Sequence, residues 1–141
     1  MYKCLNCKKE MKYKSNTLNK YCNNICQQEH LYKSYIQRWK NGQEKGYRSQ
    51  GRVTRPIRKY LFAKYNNKCC KCAWNKINIY TNQIPLEINH IDGNYKNCKE
   101  ENLELICPNC HALTGNFRSR NRSGLAMKRG VRLGKNRVNL I

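Results

Sequence analysis

Eight of the ten cysteines stand in close pairs: Cys4 and Cys7, Cys22 and Cys26, Cys69 and Cys72, Cys107 and Cys110. Thiolates two or three residues apart can reach one tetrahedral ion, so the pairs predict two zinc sites. One is Cys4/Cys7/Cys22/Cys26 and the other Cys69/Cys72/Cys107/Cys110. Four protein ligands leave no open position, which makes such sites structural. Cys70 and Cys98 are left over; Cys70 adjoins a ligand and could exchange with it, and Cys98 reads as a loop thiol. Between the paired cysteines of the second site stand groups of different chemistry. His90 follows Asn89, Asn102 comes twelve positions after His90, and His111 nine beyond that. Imidazoles titrate near neutrality and can take a proton or hold a metal. His111 also adjoins Cys110 and could replace a thiolate in a Cys3His site. Five of the eight acids, Glu87, Asp92, Glu100, Glu101 and Glu104, fall in the same stretch. Local negative charge in a cationic chain is what a further metal-ion site would carry.

The elements that must position these groups follow from periodicity. Residues 85–89 alternate and read as a strand, and Asp92-Gly93-Asn94 is turn material. Residues 102–106 read as a second strand, and Pro108 suits the first turn of a short helix carrying Cys110, His111 and Leu113. The order is β-β-α, with the second cysteine quartet clamping the start of the unit to the start of its helix. Upstream, the spacing predicts a helix over 25–40. Leu31, Tyr35 and Trp39 recur every four positions, Tyr32 and Ile36 widen the apolar face, and Asn41-Gly42 supplies the stop. His30 on this helix reads as a surface or packing residue. Thr54 is placed to cap another helix with Pro56 in its first turn, running through Ile57, Tyr60, Leu61 and Tyr65 to Asn66-Asn67. Arg52, Arg55, Arg58 and Lys59 make one side of it basic. Residues 41–54, rich in glycine and polar side chains, read as a flexible linker. Residues 1–26 read as a metal knuckle with almost no core of its own.

The charge balance is extreme: 29 Lys and Arg against 8 Asp and Glu, a formal +21 over 141 residues. Such a field attracts polyanions, which makes nucleic acid the expected partner. An anionic membrane surface fits poorly, because no basic amphipathic helix with a bulky apolar face is evident. No stretch approaches the ~20 apolar residues that span a bilayer. The first residues lack the apolar run of a signal peptide, so a reducing cytoplasm with zinc thiolates is expected. Residues 112–141 hold eight Lys and Arg and no acid. Arg118, Arg120, Arg122, Lys128 and Arg129 belong to this tail, which is expected to contact phosphates or the minor groove. The hydrophobic fraction of 39% includes much Cys and Tyr. That composition argues against a single large core and for metal staples.

The chain reads Leu-Glu-Ile-Asn-His-Ile-Asp-Gly-Asn from Leu86 and Glu-Asn-Leu-Glu-Leu-Ile-Cys-Pro-Asn-Cys-His from Glu101. With one Cys-x2-Cys before this motif and another within it, the segment resembles the HNH endonuclease family in its zinc-containing branch. The resemblance covers residues 67–122, including the Arg118-Ser119-Arg120-Asn121-Arg122 continuation. It implies that His90 is the general base that deprotonates water for attack on phosphorus, a task suited to a group titrating near neutrality. It implies that Asn102 orients the base or steadies its loop, and that His111 is a ligand of the catalytic metal. Asn89 falls where the family often has Asp or His as a second ligand. A neutral amide brings no charge, so metal affinity would be weaker unless Asp92 assists. The implied catalytic metal is Mg²⁺ or Mn²⁺, and His111 would also suit Ni²⁺ or Zn²⁺. The implied products are a 5′-phosphate and a 3′-hydroxyl. The N-terminal knuckle resembles zinc-binding modules only in a general way.

These readings give a small, zinc-stabilised α+β chain. Residues 1–42 form a Cys4 zinc knuckle with its helix, and 43–66 a basic linker and helix. Residues 67–117 form an HNH ββα-metal nuclease domain, and 118–141 a basic DNA-binding tail. The expected function is metal-dependent hydrolysis of double-stranded DNA, by nicking or by double-strand cleavage, as monomer or homodimer. Free-standing proteins of this kind resemble phage-encoded and homing endonucleases, which would place the protein in a host cytoplasm. The alternative is a noncatalytic zinc-finger DNA-binding or regulatory protein retaining the HNH frame; an RNA-directed nuclease is a further rival.

Overall fold

The computed structural model describes residues 2–12 and 20–117. The basic tail, with Arg118, Arg120, Arg122, Lys128 and Arg129, lies outside the described residues. Strands β1 (Tyr2–Lys3) and β2 (Glu10–Met11) pair antiparallel. A hairpin of this size is not stable in water by itself. It is joined to the following segment by Leu5 N–H donating to Lys20 O at 2.8 Å.

Helix α1 spans Asn24–Lys40 and starts on Asn23, whose side chain accepts from Cys26 N–H at 2.8 Å. That capping bond also fixes the last cysteine of the first quartet. The helix buries Cys26, Ile36 and Trp39, with Tyr32 and Tyr35 partly covered. Positions 32, 35, 36 and 39 make an i, i+3, i+4, i+7 stripe. Leu31, expected on the apolar face, lies beside that stripe and is exposed. His30 is half-buried and packs its ring on Tyr21, as a packing residue should.

Residues 41–54 are no featureless linker. Tyr47 bridges to Val53, Ser49–Gly51 forms a 3-10 turn, and Thr54 N–H donates to Gly46 O. Gly46 is buried with φ +79°, and a Cβ there would lie 2.7 Å from Cys98 Cβ and 3.0 Å from Ile57 Cδ1. Only glycine fits such a backbone and such an approach. Helix α2 spans Arg55–Lys64 with Pro56 in its first turn. Thr54 is its N-cap residue, yet its hydroxyl bonds Tyr35 Oη at 2.9 Å instead of capping the helix. The expected cap is thus spent on joining α2 to α1. Asn66 and Asn67 end the helix with positive φ.

Strands β3 (Glu87–His90) and β4 (Leu103–Ile106) pair antiparallel, with Asn89 opposite Glu104 and His90 opposite Leu103. A 3-10 turn, Glu100–Asn102, leads into β4, and helix α3 is Pro108–Ala112. The expected β-β-α order is therefore present. Two core clusters support it. Ile36, Trp39, Ile57, Leu61, Cys98 and Leu103 join α1 and α2 to the end of the sheet. Cys69, Leu86, Leu105, Ile106 and Cys107 pack the sheet against the second cysteine quartet. Glu100 ties the helices to the sheet through Lys40, Lys64 and the Tyr60 hydroxyl. No helix among the described residues is long and apolar enough to cross a membrane.

Candidate active site and metal centres

In each cysteine quartet the four Sγ atoms lie within 4.8 Å of one another. Cys7 and Cys22 are 3.6 Å apart, Cys22 and Cys26 3.4 Å, and Cys72 and Cys107 3.7 Å. Four sulfurs at about 2.3 Å from one zinc would be separated by about 3.8 Å. All ten cysteines are free thiols. Both quartets therefore fit structural zinc. Burial works against the Cys4 thiolate, but the backbone N–H groups of Cys7, Cys22 and Asn6 hold its pKa down to about 6. Hydrogen bonds from Cys26 and Cys7 push Cys22 up to about 12. The second quartet repeats the contrast. Cys69 is held at about 6 by backbone N–H groups despite its burial, and the Cys72 and Cys107 thiols push Cys110 up to about 12. A dication held by the four sulfurs would release their protons.

Clamping by the second quartet positions the residues between its pairs. Cys107 Sγ accepts from Cys110 N–H, so the cysteine that opens α3 also caps it. His111, the next residue, turns away from the sulfurs. Its Nδ1 meets the Glu87 carboxylate at the start of β3. With four sulfurs gathered and the imidazole held by Glu87, the arrangement favours Cys4 over Cys3His.

His90 ends β3 half-buried. Its Nε2 lies 3.5 Å from Cys98 Sγ, and its carbonyl accepts from Asn116 Nδ2. Burial lowers the His90 pKa below the ordinary imidazole value, and the nearby Asp92 carboxylate partly opposes the shift. Both the burial and the direction of the shift favour the neutral ring. Cys98, expected to be a loop thiol, is a buried core residue whose thiol donates to Tyr95 O at 3.4 Å. Burial pushes its pKa up to about 11.

Asn102 is buried at the entrance to β4 and serves the loop rather than the ring of His90. Its Oδ1 accepts from Asp92 N–H at 3.0 Å, and its Nδ2 donates to Asp92 Oδ1 at 2.9 Å and to Asn97 O at 2.7 Å. Among the described residues no hydrogen bond joins the His90 imidazole to Asn102 or His111. The Asp92 carboxylate also accepts from Asn94 N–H and Asn97 Nδ2. Burial works against the charged form, but these donors hold its pKa below the ordinary value. Asp92 is thus a loop organiser and not a spare metal ligand.

Asn89 is buried, and its Nδ2 donates to Glu104 Oε1 at 2.8 Å. Glu104 is buried as well and paired with Lys71 at 2.8 Å. Glu100 serves the helices, as described above. Of the five clustered acids, Glu87 is the one the structure sets against an imidazole. Sequence reasoning gave Glu87 no individual role, although period-two alternation puts it on the same face of β3 as Asn89. Asn116 was missed altogether, and its Oδ1 is buried with no hydrogen-bond partner. Such an atom calls for a cation or a water.

One comparison with known proteins bears on this arrangement. A stretch of 38 residues is 55% identical to the H-N-H endonuclease F-TflIV of Escherichia phage T5. It makes up 27% of this chain and 17% of that protein, so the likeness is confined to a short part of the curated relative. No family model and no solved structure matches the chain. Arg55, Arg58 and Lys59 lie on the exposed side of α2, and Arg52 on the exposed loop before it.

Proposed function

We propose that the chain is a metal-dependent endonuclease that hydrolyses phosphodiester bonds in double-stranded DNA. The observation that carries the reading is a half-buried imidazole, His90, at the end of β3, with a second imidazole on α3, His111, held by the Glu87 carboxylate at the start of the same strand. The short likeness to a phage endonuclease and the formal charge of +21 point the same way.

His90 is the base that takes the proton of the attacking water, and the environment selects the atom. The Cys98 thiol gives its hydrogen to Tyr95 O, so its sulfur faces His90 Nε2 as an acceptor. Nε2 then carries the ring proton, and Nδ1 is the atom free to accept one. Asn102 is a positioning residue that holds the 91–97 loop leaving His90. A divalent ion would draw its ligands from the imidazole of His111 backed by a carboxylate, from the amide oxygen of Asn89 and from the unsatisfied Oδ1 of Asn116. His111 would bind through Nε2, because Glu87 occupies Nδ1 and orients the ring. Mg²⁺ or Mn²⁺ held there would supply positive charge to the phosphorus-centred transition state. Arg52, Arg55, Arg58 and Lys59, together with the basic tail, hold phosphates, and the two cysteine quartets hold zinc. The domain limits of 1–42, 43–66, 67–117 and 118–141 remain the proposed division of the chain.

One observation favours a noncatalytic DNA-binding protein: Asn89, its Nδ2 held by Glu104, offers an ion only a neutral amide oxygen. Supercoiled plasmid separates the two readings. Wild type and His90→Ala are first shown to hold equal zinc and to bind DNA equally, then incubated with Mg²⁺, with Mn²⁺ or without either. Cutting by the wild type alone, and only with metal, establishes the nuclease. Binding by both with cutting by neither selects the noncatalytic reading, and equal cutting by both removes His90 from its role. A competing RNA tests the choice of nucleic acid.

A further inference from the structure

A cavity of about 500 Å3 lies between α2 and the 77–84 segment, away from the histidines. Its size falls within the roughly 300–1,000 Å3 of small-ligand sites. Arg55, Arg58 and Lys59 line one side, and Phe62, Ile77 and Ile84 supply apolar wall. No carboxylate among the described residues lines it, and none of the three cations is in an ion pair. The Arg58 guanidinium lies 4.7 Å above the Phe62 ring, which makes a flat cationic platform. Arg58 Nη2 also donates to Leu86 O at 3.3 Å, just before the strand that carries His90. Four residue steps of extended chain lead from Leu86 to His90, or roughly 13 Å.

The opposite rim is a rigid turn. Asn78 and Gln83 bridge, and Asn78 Oδ1 accepts from Tyr80 N–H at 2.9 Å and Thr81 N–H at 3.3 Å. This turn holds Ile79 and Tyr80 out in water, 84% and 91% exposed, and Ile77 is 58% exposed. Exposed apolar and aromatic groups beside unpaired cations match what an unpaired nucleotide needs. Its phosphate takes the cations, and its base takes the flat apolar surface. A regular duplex keeps its bases stacked and would leave the apolar half of the cavity unused.

We propose that this cavity is a subsite for one unpaired nucleotide of a bound strand, with its phosphate on Arg55, Arg58 and Lys59 and its base against Phe62, Ile77 and Ile84. The protein would accordingly prefer a single-stranded, bulged or distorted segment over a regular duplex. The proposal rests on the nucleic-acid reading but not on cleavage.

The test uses the full zinc-loaded chain without added Mg²⁺ or Mn²⁺, in the wild-type and His90→Ala forms, so that failure to cut leaves the binding result intact. Oligonucleotides carry 2-aminopurine in a single-base bulge or, as control, fully paired. Ile77→Ser is the variant, because the position is exposed and the substitution does not change charge. Expected is about tenfold tighter binding of the bulge than of the duplex, with a change in 2-aminopurine emission. Ile77→Ser should erase most of that preference and leave duplex affinity within twofold. Equal affinity of the wild type for bulge and duplex would overturn the proposal, as would equal losses on both substrates in Ile77→Ser. Displacement of the strand by polyglutamate as readily as by unlabelled oligonucleotide would show that charge alone fills the cavity. Equal competition by a free nucleoside monophosphate would overturn the assignment to a strand.

Discussion

Replacing Asn102 by Ala tests whether the residue acts by holding the loop after His90. The side chain makes three hydrogen bonds, two with neutral partners and one with the Asp92 carboxylate. Neutral bonds are worth about 1 kcal/mol each and bonds to charged groups about 1.5–3 kcal/mol. Asp92 is solvent-accessible and keeps its bonds to Asn94 and Asn97, so water and these partners recover part of the loss. A net cost of about 3 kcal/mol, localised between residues 91 and 102, is therefore expected. At 1.4 kcal/mol per factor of ten, this opens the loop about a hundredfold more often. Amide hydrogen exchange reads it directly. The amides of Ile91, Asp92 and Asn97 should lose about two orders of magnitude of protection, while those in the middle of α1 stay unchanged. Nicking should fall through kcat with little change in KM, because His90 is displaced and the phosphate-binding cations are not. Asn102→Asp should be at least as damaging near neutral pH. It keeps the acceptor for Asp92 N–H but loses both donor bonds and sets a second carboxylate against Asp92. Protection within twofold of wild type in the 91–97 loop would refute the reasoning, and so would an Asp variant that behaves like Asn.

Other consequences follow from the same contacts. Glu87→Gln removes the carboxylate behind His111 and should weaken activating Mn²⁺ about 10–100-fold, read from the metal dependence of nicking; an unchanged metal titration would mean that Glu87 does not support the ligand. As the proposed base, His90 would act in its neutral form, and burial lowers its pKa, so activity should persist as pH falls through the ordinary imidazole value. The acid limb of kcat/KM should accordingly lie below about 6.5, and a limb above it would contradict the buried setting. Cys110→Ser should reduce bound zinc from two ions per chain to one by elemental analysis and unfold the ββα unit. Structural zinc is worth about 10–16 kcal/mol, comparable with the entire stability of a domain. Glu100 is held at about 2, burial opposing and Lys64 and Tyr60 lowering it. Its stabilisation is present above the unfolded value near 4.5 and lost as pH falls toward 2. Glu100→Gln should cost about 2 kcal/mol at pH 7 after allowing for partial exposure, and the difference from wild type should shrink between pH 5 and 3 in urea titrations.

The parts legible in sequence are those fixed by local spacing. Paired cysteines show a quartet because chelation demands short separations, and β-β-α order shows in alternation followed by Pro108. The 32-35-36-39 stripe of α1 was legible apart from Leu31, since a four-residue repeat drifts around a helix of 3.6 residues per turn. What stayed hidden depends on partners distant in sequence. Nothing near Thr54 shows that its hydroxyl is claimed by Tyr35, nineteen residues earlier. Acids counted together as a candidate metal site separate in space into a helix clasp at Glu100, a loop knot at Asp92, a buried ion pair at Glu104 and an imidazole partner at Glu87. Charge density along a chain therefore cannot say which carboxylate faces a metal.

Cys98 shows most clearly how the candidate site depends on the rest of the chain. Its carbonyl accepts from Trp39 Nε1 at 2.7 Å across 59 residues, and its Cβ fills the space that Gly46 leaves open. Trp39 belongs to α1, which begins at the first cysteine quartet, and Gly46 belongs to the loop that closes on α2. These contacts bury the Cys98 sulfur against His90 Nε2, and burial both keeps the thiol neutral and lowers the imidazole pKa. A tryptophan and a glycine outside the β-β-α unit thus help to bury the thiol that lies against the histidine. The first cysteine quartet ends in the first turn of the helix that delivers Trp39, and the second brackets the strand that ends in His90, so both quartets support the surroundings of one imidazole.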